Sequence, residues 1–80
     1  MNVEEKVKEV LLEILDVKDE EVVPSARFVD DLKATSIDLV EIVTALQNTF
    51  DVNIDEEQVA KMQTVGDAVN FLKFALAQKA

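Results

Sequence analysis

Leu39, Ile42, Val43, Leu46 and Phe50 recur every three to four positions across 36–50, the spacing of a single buried face on an α-helix. Thr35 stands just ahead of this run and Asp38 three residues later, a capping-box pair that fixes the start of the helix and makes Ser36 its first residue. The same period joins Val3, Val7, Val10, Leu11 and Ile14, with Glu and Lys on the remaining sides, and predicts a helix over about 2–15. Thr64 and Asp67 repeat the capping pattern and open a last helix over about 65–77, with Val65, Ala68, Val69, Leu72 and Leu76 inward. Before it, Asp51-Val52-Asn53-Ile54 reads as an extended link, and Asp55 caps a brief helix over about 56–62 that buries Val59 and Met62. One glycine and one proline leave too few turn formers for a small barrel or sandwich. The expected fold is all-α, a small four-helix bundle of three main helices and one short helix with a long first loop.

That first loop covers 16–34. Connections of this length are uncommon in small domains unless they are functional or pinned to the core. Val17, Val22, Val23, Phe28, Val29 and Leu32 are the expected pins, with Phe28 and Leu32 at i, i+4 on a helical turn after Pro24-Ser25. Residues 1–80 read as one domain, apolar enough at 49% for a core but small enough for a thin stability margin.

The chain has no cysteine and no histidine, which excludes disulfides, thiolate nucleophiles and imidazole bases. Nearly all its carboxylates fall on solvated helix faces without an evident cleft, so a hydrolase using paired carboxylates is not expected and no catalytic residue is assigned. Asp51, Asn53 and Asp55 imitate the opening ligands of an EF-hand. Glu56 and Met62 occupy the positions where that loop needs Gly and Glu, so no metal site is assigned. A net charge of −9 repels nucleic acid and anionic lipid and favours partners with basic surfaces. The same excess of acid also keeps a small domain soluble. No apolar run approaches the roughly 18 residues of a membrane span, and Met1-Asn2-Val3-Glu4-Glu5 lacks the basic start of a signal peptide. A cytoplasmic monomer without membrane insertion is expected.

Opposite its core face, the central helix carries Ile37, Val40, Glu41, Thr44 and Asn48. Ile37 and Val40, one turn apart with Asp38 and Glu41 beside them, form a candidate docking patch with an acidic rim. Two plainer readings compete with it: stray exposed apolar residues, and side chains covered by the loop. The Ser36 hydroxyl falls at the positive end of the helix dipole, among amides with no helical acceptor, where a covalently carried phosphate would be favoured. A first-turn serine with no further role satisfies the same position.

Thr35-Ser36-Ile37 resembles the Asp-Ser-Leu attachment motif of the acyl carrier protein family. Around it, Phe28-Val29-Asp30-Asp31-Leu32, Asp38, Val40-Glu41-Ile42-Val43, Ala45-Leu46, Phe50, Asp55-Glu56-Glu57 and Thr64-Val65 resemble the family's segments in order. The resemblance implies that Ser36 carries 4′-phosphopantetheine through a phosphodiester, installed from coenzyme A by a phosphopantetheinyl transferase (holo-ACP synthase). The arm's thiol would hold acyl chains as thioesters for enzymes of fatty acid, polyketide or related lipid synthesis. It also implies that Thr35, Ile37, Asp38, Val40, Glu41 and Thr44 meet acyl-transfer and condensing enzymes through their basic patches. The acyl chain would slip between helices past Val43, Ala45, Ile54, Val59, Ala68 and Val69. Departures from the pattern are Thr35 for aspartate, Ile37 for leucine, Lys33 for glycine, and Gln47 and Asn48 for glutamates. They point to a specialised carrier. An unmodified acidic interaction module and a peptidyl or aminoacyl carrier remain as alternatives.

Overall fold

A computed structural model describes residues 2–79. It contains α1 (Val3–Ile14), a 3₁₀ turn (Asp19–Glu21), α2 (Ser36–Phe50), α3 (Glu56–Lys61) and α4 (Val65–Lys79). The all-α bundle follows the expected order, with shifts of one or two residues at helix ends. Asn2 is the N-cap of α1 rather than its first residue, its side chain accepting the Glu5 N–H at 3.2 Å. Met62 leaves α3 with ψ 78 and turns its side chain into the core. Among the described residues no helix is long and apolar enough to cross a membrane.

α1 packs against both α2 and α4. Val7, Leu11, Leu46 and Leu72 have no solvent exposure and form the centre of the core. Ala68 is equally enclosed, its small side chain letting α4 approach closely. Around them Val10, Leu15, Ile42, Phe50, Ile54, Val65 and Val69 complete the interior.

The long connection is held by its main chain as well as by buried side chains. The first amides of a helix lack intrahelical partners, and in α4 two of them are satisfied by the connection. Val65 N–H donates to the Ala26 carbonyl at 3.0 Å and Gly66 N–H to the Pro24 carbonyl at 2.9 Å. Phe28 N–H in turn donates to the Gln63 carbonyl at 3.0 Å, beside an antiparallel bridge between Arg27 and Thr64. A Cβ at residue 66 would lie 3.0 Å from the Pro24 oxygen, so glycine lets the two backbones meet without a shift of a few tenths of an ångström.

Of the expected pins, Val22, Phe28 and Leu32 are buried and Val17 is half-buried, whereas Val23 and Val29 face outward. An irregular backbone has no fixed period, and Ala26 and Ala34 take the interior places instead. The turn that seats Phe28 and Leu32 begins at Arg27, closed by the Asp31 and Leu32 amides on the Arg27 carbonyl, both at 3.0 Å.

α2 ends at Asp51, which is left-handed at φ 53. Lys79 Nζ holds that turn from α4, donating to the Asp51 carbonyl at 2.7 Å and to its carboxylate at 3.1 Å. Gln47 Oε1 accepts the Ile54 N–H at 2.9 Å, fixing the link to α3.

Leu46→Ala should destabilise the domain by about 2–5 kcal/mol through lost burial and a residual cavity. Val40→Ala on the opposite face of the same helix should stay within about 0.5 kcal/mol. Urea unfolding followed by circular dichroism measures both.

Candidate site at the start of the central helix

Thr35 is extended at φ −85, ψ 174 and closes a reciprocal pair with Asp38. Asp38 N–H donates to Thr35 Oγ1 at 3.2 Å, and Thr35 N–H donates to Asp38 Oδ2 at 2.9 Å. Leu39 N–H then makes the first helical bond, to the Thr35 carbonyl at 3.0 Å. The cap is complete without Ser36, and that residue is exposed. Among the described residues the amides of Ser36 and Ile37 find no acceptor, and the Ser36 hydroxyl has no partner. An unengaged hydroxyl thus stands beside free donors at the positive end of a fifteen-residue helix.

The approach to this corner is rigid. Leu32 and Ala34 are buried on either side of Lys33, and Ala34 N–H donates to the Phe28 carbonyl at 2.8 Å. Lys33 is left-handed at φ 59, a conformation that costs a non-glycine residue about 1–2 kcal/mol. Its Nζ donates to the Asp30 carbonyl at 2.9 Å.

The outer face of α2 is open. Ile37 is 72% exposed and Val40 66%, with Glu41, Thr44 and Asn48 also exposed and Asp38 partly so. The loop does not cover them. Val29, an expected pin, is instead 57% exposed and adds an apolar side chain on the loop. Asn48 lies on this open surface, whereas Gln47 is turned partly inward by its bond to the Ile54 amide.

Leu39 and Val43, expected in the core face, are only half-buried. They line a crevice of about 260 Å³ with Ile54 and Val59. Leu39 and Val59 also border a second hollow of about 350 Å³ that reaches Phe28, Val29 and Met62. Ile54 is buried, Ala45 and Val59 are half-buried, and Ala68 and Val69 lie deeper in the core. Asp51 and Asp55 are drawn into separate structural tasks, the first paired with Lys79 and the second capping α3 through the Gln58 N–H at 3.0 Å.

The family model for the phosphopantetheine attachment site matches residues 5–72. The chain belongs to this family. An acyl carrier protein from Enterococcus faecalis has a similar structure, with a TM-score of 0.76 and 32% identity, covering 94% of this chain and 99% of that one. The protein is therefore a carrier of the acyl carrier type and not an enzyme, and its prosthetic group is 4′-phosphopantetheine. An exposed hydroxyl flanked by free amides is chemically suited to a phosphodiester, and the α2–α3 crevice is suited to an apolar chain.

Thr35→Ala and Asp38→Ala should each cost about 1 kcal/mol by breaking the cap. Each substitution removes one side-chain-to-amide bond and leaves the other, so the double variant should cost nearly the sum, and any shortfall is the coupling between the two. A double-mutant cycle in urea reads this coupling.

Proposed function

We propose that Ser36 is the attachment residue for 4′-phosphopantetheine and that the chain is a specialised acyl carrier of fatty acid, polyketide or related lipid synthesis. The observation that carries this reading is the unengaged, exposed Ser36 hydroxyl at the first position of α2, left free by the Thr35–Asp38 pair. In the modification a phosphopantetheinyl transferase brings coenzyme A to this corner. The Ser36 oxygen forms a bond to the phosphorus of the pantetheine half, the phosphoanhydride bond breaks, and the adenosine bisphosphate half departs. A base on the transferase takes the hydroxyl proton. The free amides of Ser36 and Ile37 and the dipole of α2 then favour the phosphodiester charge. The chain has no cysteine, so the bound arm supplies the thiol on which acyl groups are held as thioesters.

The docking surface in this reading consists of Thr35, Ile37, Asp38, Val40, Glu41 and Thr44. Ile37 and Val40 offer the apolar contact, and Asp38 and Glu41 the charge that orients a basic partner. The same surface serves the transferase and the acyl-transfer and condensing enzymes. The half-buried lining of the α2–α3 crevice, Leu39, Val43 and Val59, supports temporary shelter for the acyl chain. Specialisation is supported by the departures around the serine and by the structural use of Gln47.

Incubation with coenzyme A and a broad-specificity transferase should add one phosphopantetheine by intact-mass spectrometry. Ser36→Ala should abolish the addition while leaving the helical circular dichroism intact. Addition to the Ser36→Ala variant would refute the assignment, and a folded wild type that accepts nothing from any transferase would favour the interaction module.

Glu41→Lys should slow modification by a transferase with a basic docking surface and flatten the salt dependence of its rate. Wild type and variant should converge as ionic strength approaches about 1 M, where screening acts within about 3 Å.

A further inference from the structure

Between residues 28 and 60 the sequence carries eight Asp and Glu side chains and a single cation, Lys33. This segment contains the whole of α2 and the proposed docking surface. Lys33 stands three residues ahead of Ser36, and three observations show that its charge is held outward at a fixed place. Its backbone is locked in the left-handed region at φ 59, where glycine would fit without strain. Both neighbours, Leu32 and Ala34, are buried, so the chain cannot rotate the side chain inward. Finally, its ammonium is steadied by the Asp30 carbonyl at 2.9 Å and forms no ion pair with a carboxylate among the described residues. A strained position occupied by the one cation of the 28–60 segment, itself without an ion pair, points to a role for the cation itself.

We infer that Lys33 is a selectivity element: a fixed positive charge at the rim of the Ser36 site that disfavours enzymes docking through a uniformly basic surface. It favours a transferase whose basic patch is interrupted by a carboxylate opposite residue 33. Charges at the rim of an interface act mainly on association and its salt dependence, so Lys33 should set which partner arrives and leave the transfer step unchanged. The inference rests on the assignment of Ser36 as the attachment residue.

The test is phosphopantetheine transfer from coenzyme A by a transferase with a uniformly basic docking surface, measured for wild type, Lys33→Gln, Lys33→Gly, Lys33→Glu and Lys33→Arg. Lys33→Gln and Lys33→Gly should raise kcat/KM by about two- to five-fold through KM. Lys33→Glu should raise it further, and Lys33→Arg should match wild type. The differences should fade at high ionic strength. Gln and Gly both remove the charge but differ in backbone strain, so agreement between them assigns the effect to charge. Equal rates for all five proteins would overturn the inference, as would Lys33→Arg behaving like Lys33→Gln. A fall in rate on charge removal, the result expected if the ammonium assists the transferred phosphate, would also overturn it. These outcomes leave Ser36 in place, whereas absence of labelling in every protein, wild type included, removes the Ser36 assignment and the inference with it.

Discussion

The reciprocal bond between Thr35 and Asp38 governs the site. A helix start must satisfy its first amides, and a serine at that position is ordinarily recruited to do so. Here the hydroxyl of one residue and the carboxylate of another close on each other's backbone amides. Ser36 lies between them with nothing to cap. Its oxygen stays available, and the Ser36 and Ile37 amides remain free beside it. The cap thus leaves an exposed hydroxyl at the helix start without weakening the helix, the access that the proposed attachment at Ser36 requires.

Around this corner, rigidity and looseness are unevenly distributed. The entry to α2 is fixed by the buried Leu32 and Ala34 and by the seam between the first connection and the start of α4. The exit is clamped by Lys79 on the left-handed turn at Asp51. Between them, α3 is only a six-residue helix, and its Val59 meets Leu39 and Val43 across a crevice rather than in a filled core. The α3 wall of the crevice thus has little packing to lose.

Much of this was legible in the sequence because it is local. The caps at Thr35 and Thr64 and the apolar stripes of α1, α2 and α4 depend on residues within one or two turns, and the spacing specifies them. What the spacing could not specify depends on distant partners. Leu39 and Val43 share the period of Ile42 and Leu46, yet they face a crevice because the short α3 does not cover them fully. Nothing local marks Gln47 for burial, yet the Ile54 amide, beyond the end of the helix, draws it partly inward. Hydrophobicity alone places Val23 and Val29 inward, but the connection takes its direction from carbonyls that meet α4 some forty residues later.

That seam also determines where the protein is free to change. Because Pro24, Ala26 and Phe28 dock through peptide atoms, the outward side chains among them, at Val23, Ser25 and Val29, contribute little to holding the strap in place. Substitutions at these tips can therefore reshape the outer contour of the strap while the backbone seam that anchors it stays as it is.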